Sequence, residues 1–302
     1  MPNNLKLRQL EGFVAAADSG SFTAAASAMA MTAPAFSQLV RELESTLGLV
    51  LFERTTRRLE LTASGRQLLE GVRRPLADLA HVSSEMKALA GGQTGTVVLS
   101  ILHSLAFGLG TRALAQLKTM RPDITVKMIE DMNEVLIERV RNREVDIGLG
   151  MFTQALEDIE FTPLFEDELV AVFSVDHPLR NQRTLTWKQL AETPLILLQP
   201  KSSVRRLVEA GLLVTGVARQ PVTEVVSMVT AINMAAAGFG VTILPQLSLA
   251  SLKMTGMAVR KIKEPRPRRQ IGLLRKVGRA SSPAEALLAI ELAKSAAHLQ
   301  LE

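Results

Sequence analysis

The 302-residue sequence contains no cysteine. That removes disulfides, thiolate catalysis, Cys-ligated zinc and thiol redox sensing. Its four histidines, His81, His103, His177 and His298, show no metal-ligand spacing, so neither a metal nor another cofactor is expected. No apolar run approaches the roughly 20 residues of a membrane span. Met1 to Ser19 carries acidic residues where a signal peptide would be apolar. The expectation is a cytoplasmic protein with no membrane partner. Net charge is also scarce: the pI near 9.7 suggests a polyanionic partner, yet residues 1–90 hold ten lysines and arginines against nine acids. Clustering matters more, because Arg54, Arg57, Arg58 and Arg66 fall in one short region. A second basic tract, Arg260 to Arg279, reads as a solvated edge of the C-terminal part.

What is present is a helix-turn-helix pattern between Ser21 and Gly65. A first helix is expected from about Lys6 to Asp18, with Leu7, Leu10, Phe13, Val14 and Ala17 on one face. Gly20 ends it, Ser21 caps a thin Ala-rich second helix, and Thr32 with Pro34 opens a third. On that third helix Phe36, Val40, Leu43 and Leu47 form the buried stripe. The opposite stripe, Pro34, Ser37, Gln38 and Arg41, follows i, i+3, i+4, i+7 spacing, and its amide, hydroxyl and guanidinium suit base edges and phosphates. An ordinary solvated face would look similar. The next segment decides between them: short strands Leu49 to Phe52 and Leu59 to Leu61 flank Arg54-Thr55-Thr56-Arg57-Arg58, a basic wing for the phosphate backbone. The partner is therefore double-stranded DNA, contacted by Thr32, Pro34, Ser37, Gln38, Arg41, Arg54, Arg57 and Arg58.

These segments, together with Gly-Ser-Phe-Thr-Ala-Ala-Ala, Leu-Glu-Ser-Thr-Leu-Gly, Leu-Phe-Glu-Arg-Thr and Leu-Thr-Ala-Ser-Gly, resemble the LysR-type transcriptional regulators over nearly the whole chain. Two positions depart from the family pattern. Ala33 stands where a base-reading glutamine is common, and Leu39 replaces a usual polar residue, so readout shifts to Pro34, Ser37 and Gln38. Thr62 can cap a long helix from Ala63 to about Leu89, roughly 40 Å at 1.5 Å per residue. Leu68, Leu69, Val72, Leu76, Leu79, Val82, Met86 and Leu89 make a near-heptad seam on it, with Pro75 expected to kink it. The resemblance implies antiparallel pairing of this helix with a second subunit, and a homotetramer overall. Gly91 to Gly95 is the hinge.

From Thr96 apolar strands alternate with helices: Val97–Leu102, Ile124–Ile129, Asp146–Gly150, Glu168–Ser174, Leu195–Leu198 and Val241–Leu244. This is α/β architecture with mostly parallel sheets. The expected fold is an N-terminal all-α winged helix-turn-helix plus a long linker helix, then a C-terminal α/β effector domain like a periplasmic binding protein. The expected boundaries are 1–62, 63–92 and 93–302. The resemblance splits the last into subdomain I (about 93–162 and 267–302) and subdomain II (about 163–266). Ligands in such folds lie at strand ends near helix N-termini. His103 and Ser104, then Lys201, Ser202 and Ser203, and lastly Thr223 are the candidates, with Met151 and Phe152 as an apolar wall or else as core. Each serine also has a possible capping role, which is the better reading for Ser227 but not for Ser202 or Ser203.

Two rival classes compete. Gly108-Leu-Gly110-Thr-Arg-Ala113, with Glu130 and Asp131 about twenty residues on, matches a dinucleotide fingerprint and would imply an NAD-dependent enzyme. Five residues separate the strand from Gly108, however, so these glycines are expected inside a helix. Ser84-Glu-Met-Lys87 matches an acylating pattern but lies on a dimer helix. A solute-binding protein would not need the ninety-residue N-terminal module. The reading is a non-catalytic, sequence-specific transcription regulator that reads an interrupted dyad, binds a small anionic effector and contacts RNA polymerase.

Overall fold

The computed structural model describes residues 5–54, 59–91, 95–216, 223–249, 252, 254–263 and 265–299. They form two compact units, Met1–Lys87 with Asn142–Glu144, and Ala88–Arg141 with Val145–Glu302.

In the first unit, α1 (Leu7–Ser19) stops at Gly20, whose φ of 60° is open to glycine at no steric cost. The Ser21 hydroxyl accepts from the Ala24 N–H (3.4 Å) and caps α2 (Phe22–Ala28). Thr32 caps α3 (Ala33–Leu47) in the same way through Ala35. Phe13, Phe36, Val40, Leu43, Leu51 and Phe52 close the core. Phe52 packs against the rings of Phe13 and Phe22, each with a centroid 5.3 Å away. At Gly12 a Cβ would stand 2.7 Å from Leu39 Cδ2, so α1 and α3 cross where α1 has no side chain.

The wing consists of β1 (Phe52–Arg54) and β2 (Leu59–Leu61), paired antiparallel. Its first strand starts three residues later than the pattern suggested. The reason is competition for backbone donors: Glu44 Oε1 accepts from the N–H groups of Leu51 (2.8 Å) and Phe52 (3.3 Å), and the Leu49 N–H closes the end of α3. The long helix α4 (Ala63–Gly91) continues through Pro75. Its apolar stripe divides. Leu68, Leu69 and Val72 pack on the N-terminal core, which corrects their place in a dimer seam, whereas Leu79, Val82 and Met86 are each more than half exposed. The side chain of Leu89 lies outside the described part of the helix.

In the second unit, β3 (Thr96–Leu102) runs into α5 (His103–Leu105), a π turn (Ala106–Gly110) and α6 (Thr111–Met120). Then follow β4 (Thr125–Asp131), α7 (Asn133–Arg141), β5 (Ile147–Met151) and β6 (Ile159–Ser174). Next come β7 (Thr184–Leu185), α8 (Trp187–Ala191), β8 (Leu195–Leu198), α9 (Ser203–Leu213), β9 (Thr223–Val225), α10 (Met228–Ala236) and β10 (Val241–Pro245). The chain ends with α11 (Gln246–Leu249), β11 (Met257–Ile262), β12 (Arg268–Lys276) and α12 (Pro283–Leu299).

Strand order is β4-β3-β5-β12-β6-β10-β8-β9, with β11 and β7 beside the second half of β6. Two parallel groups, β4-β3-β5 and β10-β8-β9, are thus joined by the antiparallel pair β12 and β6. One hydrophobic core forms around Leu99, Ile147, Leu273 and Leu288, and the other around Phe173, Leu190, Val208 and Ile243. Gly108 and Gly110 lie in the helical turn, Gly110 packed so tightly on Ile101 that a Cβ would meet it at 2.7 Å. They form no phosphate-binding turn.

The basic tract needs correction. The tract divides: Lys261, Lys263, Arg266 and Arg268 are exposed, but the second half of the tract is largely β12, an interior strand, where Arg269 and Arg275 turn inward. Arg269 is buried and grips Asp167 of β6 from Nε (3.0 Å) and Nη2 (2.7 Å), while Arg275 Nε donates to the buried Glu285 (2.8 Å). Breaking such a pair leaves a lone buried charge. Arg269→Met should cost about 3–5 kcal/mol in urea unfolding, and adding Asp167→Leu should restore most of that loss.

Candidate functional sites

On α3 the apolar stripe of Phe36, Val40 and Leu43 is fully buried, which turns the opposite face to solvent. Thr32, Pro34, Gln38 and Arg41 are exposed there and Ser37 is half-buried, so all five sequence candidates share one accessible face. Leu39 packs toward Gly12 and takes no part. The Gln38 amide donates to Glu42 Oε1 (3.3 Å), and Glu42 Oε2 accepts from Gln9 Nε2 of α1 (3.4 Å). Glu42, which the sequence pattern did not single out, therefore holds the Gln38 NH2. Arg41 Nε donates to its own helix at the Ser37 carbonyl (3.3 Å), which places an uncommitted guanidinium edge beside Gln38.

Arg54 ends β1, and Arg57 and Arg58 lie outside the described residues. The Thr62 hydroxyl donates to the Val50 carbonyl (2.7 Å) and accepts from the Gly65 N–H (3.0 Å), tying the hairpin to α4. Gly65 is required there, since a Cβ would fall 2.2 Å from the Leu51 oxygen. Arg66 Nη1 donates to the Leu61 carbonyl (2.7 Å) and braces the second wing strand.

The second site is a cavity of about 250 Å³ at the C-terminal ends of β3, β4 and β8. His103, Ser104, Ser202 and Ser203 line it, as their sequence positions suggested, and Ser227 joins them. Phe107, Met132, Leu198, Val226 and Met228 give it an apolar lining. Ser104 Oγ accepts from Arg269 Nη1 (2.8 Å), which leaves its proton for a ligand. Behind it, the Asp167 carboxylate also accepts from the Leu247 N–H (3.2 Å). Asp131 Oδ2 accepts from Ser100 (2.8 Å) and pairs with Arg139 (3.0 Å). His103 Nδ1 is 3.1 Å from the Asp131 carbonyl oxygen. That oxygen can only accept, so Nδ1 carries a proton and donates to it.

Ser202, not Ser203, is the N-cap residue of α9, and its hydroxyl makes no capping bond; Ser227 stands likewise before α10. Ser203 is the first helical residue, 8 % exposed, with its hydroxyl unpartnered among the described residues. Arg205 fixes this corner by donating to the Leu198 carbonyl (2.9 Å) and pairing with Glu224 (3.0 Å).

Four expected contacts fall elsewhere. Lys201 is exposed and outside the lining, because the turn closed by the Ser202 N–H on the Gln199 carbonyl directs it to solvent. Thr223 pairs with Ile196 at the far end of β9, so Val226 reaches the cavity instead. Met151 and Phe152 line a different, smaller cavity of about 160 Å³, with the tilted ring of Phe161 centred 4.9 Å from that of Phe152. The Phe152 N–H donates to the Gln270 carbonyl (2.9 Å), so the chain leaving β5 follows β12 away from the cleft. The Asn133 amide, bonded to both the N–H and the carbonyl of Met151 (2.8 and 3.1 Å), holds it there.

Comparison with known proteins agrees with the two-part architecture. Residues 7–66 match the family model of bacterial regulatory helix-turn-helix proteins of the lysR family, and residues 90–296 match the LysR substrate binding domain. The chain is 28% identical over 279 residues to the HTH-type transcriptional regulator YbhD of Escherichia coli (strain K12), covering 92% of this chain and 88% of that protein. It is 30% identical over 281 residues to a probable hydrogen peroxide-inducible genes activator of Mycobacterium avium, covering 88% and 86% respectively. Among solved structures, that of CbnR, a LysR family transcriptional regulator, superposes with a TM-score of 0.70 at 22% identity over 97% of this chain and 99% of CbnR. The chain belongs to the LysR family. It is a DNA-binding transcription regulator, an N-terminal helix-turn-helix joined to a substrate-binding α/β domain.

Gln38→Ala should narrow the affinity gap between a selected operator and random duplex in gel-shift titrations by roughly 1–3 kcal/mol. Arg54→Ala should weaken binding to both alike and lower the log–log salt slope by about 1.

Proposed function

We propose that this chain is a cytoplasmic homotetrameric regulator without catalytic activity. A small anionic effector in the α/β cleft changes how its subunits sit on DNA and how they contact RNA polymerase. We divide it at 1–62, 63–92 and 93–302, the last into subdomains of about 93–162 with 267–302 and about 163–266. The unbonded hydroxyls of Ser202, Ser203 and Ser227 at the starts of α9 and α10 carry the reading of the cleft. Free N–H groups and the positive helix ends there favour an anion. Control then requires tighter effector binding to one assembly than to another. The Mycobacterium avium relative bears the name of a hydrogen peroxide-inducible genes activator. With no cysteine, this chain has no thiol for such a response. Among the described residues no helix is long and apolar enough to cross a membrane.

Ser203 is not an N-cap, so removing its hydroxyl tests ligand contact with little capping cost. Ser203→Ala should weaken an effector found by thermal-shift screening between about twofold and a hundredfold in calorimetry, the range for a hydrogen bond to a neutral or charged group. Unchanged affinity would take Ser203 out of the site.

For assembly, the exposed Leu79, Val82 and Met86 support pairing through the C-terminal half of α4. Val82→Glu should dissociate dimers in sedimentation while leaving the melting temperature nearly unchanged. Val72→Glu should instead lower the melting temperature, because Val72 packs within its own subunit. An unchanged sedimentation profile for Val82→Glu would exclude this seam.

A further inference from the structure

The walls of the cleft differ in polarity. One wall holds the starts of α9 (11 residues) and α10 (9 residues), neither with an acid in its first turn nor a side chain capping it. Ser203, more than nine-tenths buried, turns an unpartnered hydroxyl to the same space. That wall donates hydrogen bonds and favours negative charge.

The other wall, at the ends of β3 and β4, accepts. Glu130 lines the cavity with an exposed carboxylate that has no hydrogen-bond or ion-pair partner among the described residues. The His103 ring, held by its Nδ1 on the Asp131 carbonyl, lines the same wall. The neighbouring helix α7 does not offset this charge, since Glu134 occupies its first turn and pairs with Arg206. Among the described residues the lining contains no lysine or arginine. The cations behind the lining are already paired: Arg269 with Asp167, Arg139 with Asp131, Arg205 with Glu224 and Arg206 with Glu134.

A ligand that filled this space with only a carboxylate would leave Glu130 partly desolvated and unpaired, and a diacid would add repulsion. A cation on the ligand relieves both. Resting on the proposed role of the cleft, we infer that the effector is amphoteric: a small molecule whose carboxylate faces Ser202, Ser203 and Ser227 and whose protonated amine faces Glu130. The cavity, about 250 Å³, holds roughly eight waters at ~30 Å³ each, the size of an amino acid. Its apolar lining suits a short hydrocarbon body. Glu130 and Asp131, the acids of the discarded dinucleotide pattern, thus have separate duties: Asp131 is tied to Ser100 and Arg139, and Glu130 is free for the ligand.

The test is calorimetry on the full chain with β-alanine, leucine and γ-aminobutyrate, against their amine-free counterparts propionate, isocaproate and butyrate, and against succinate and glutarate. At least one amino acid should bind about tenfold or more tightly than its amine-free counterpart and than both diacids, the scale of a charge-assisted hydrogen bond. Glu130→Gln, near-isosteric and at a solvent-exposed strand end, should abolish that preference with an unchanged melting temperature. Ser203→Ala should weaken every probe that binds. Equal or tighter binding of the amine-free acids or diacids, or no binding by any probe, overturns the amphoteric ligand. If that happens while Ser203→Ala still weakens the probes that bind, the cleft remains the effector site. Probes whose affinity ignores both substitutions would overturn the cleft itself.

Discussion

Arg269 and Asp167 sit opposite each other on β12 and β6, the antiparallel pair between two otherwise parallel groups of strands. Their guanidinium–carboxylate contact is almost completely removed from solvent. It tolerates that burial because each group is used more than once. Arg269 also donates to Ser104 in the cleft wall, and Asp167 also accepts from the backbone at Leu247. One ion pair thereby fixes the register of the joining strands, the hydroxyl of a cavity-lining serine and the start of α11. Buried pairs of this kind add little net stability, but they penalise alternative packings heavily.

The cleft inherits its polarity from this frame. Parallel strands deliver their C-terminal ends and the following helix N-termini to one edge, which makes that edge rich in free N–H donors. Whether an edge attracts an anion then depends on what its own chain has already placed there. Glu134 takes the start of α7, while α9 and α10 begin with serines whose hydroxyls are left free. In the DNA-reading unit, the same logic of prior commitment places Glu42 behind Gln38 and Arg41 on its own helix, so the polar face is partly ordered before DNA arrives.

The helix-turn-helix was legible because its signals are local: caps at Ser21 and Thr32, a glycine stop at Gly20, and a stripe of apolar residues at helical spacing. Most strands of the parallel groups, β3, β5, β8 and β10, were legible for a similar reason, being largely apolar runs. β12 and the first half of β6 were not. Their residues alternate with arginine, lysine, glutamate and aspartate, and a charged segment reads as solvated until its counter-charges are found a hundred residues away. The free half of the α4 stripe could not be told from the docked half, since Val72 and Val82 are equally apolar and differ only in what lies against them.

The sequence by itself determined the family, the two-part architecture, the exposed polar face of α3 and four residues that line the cleft, His103, Ser104, Ser202 and Ser203. All of these follow from short-range periodicity, from capping chemistry or from the order of motifs along the chain. Only the tertiary structure decided which strand ends converge. It sent Met151, Phe152, Lys201 and Thr223 away from the cavity and brought Glu130, Ser227 and Val226 to it. The physical reason is that a strand end points to a site only through its neighbours. The hydrogen bonds of Phe152 to β12 and of Thr223's strand to β8 join residues far apart in sequence, and nothing in the local pattern encodes them.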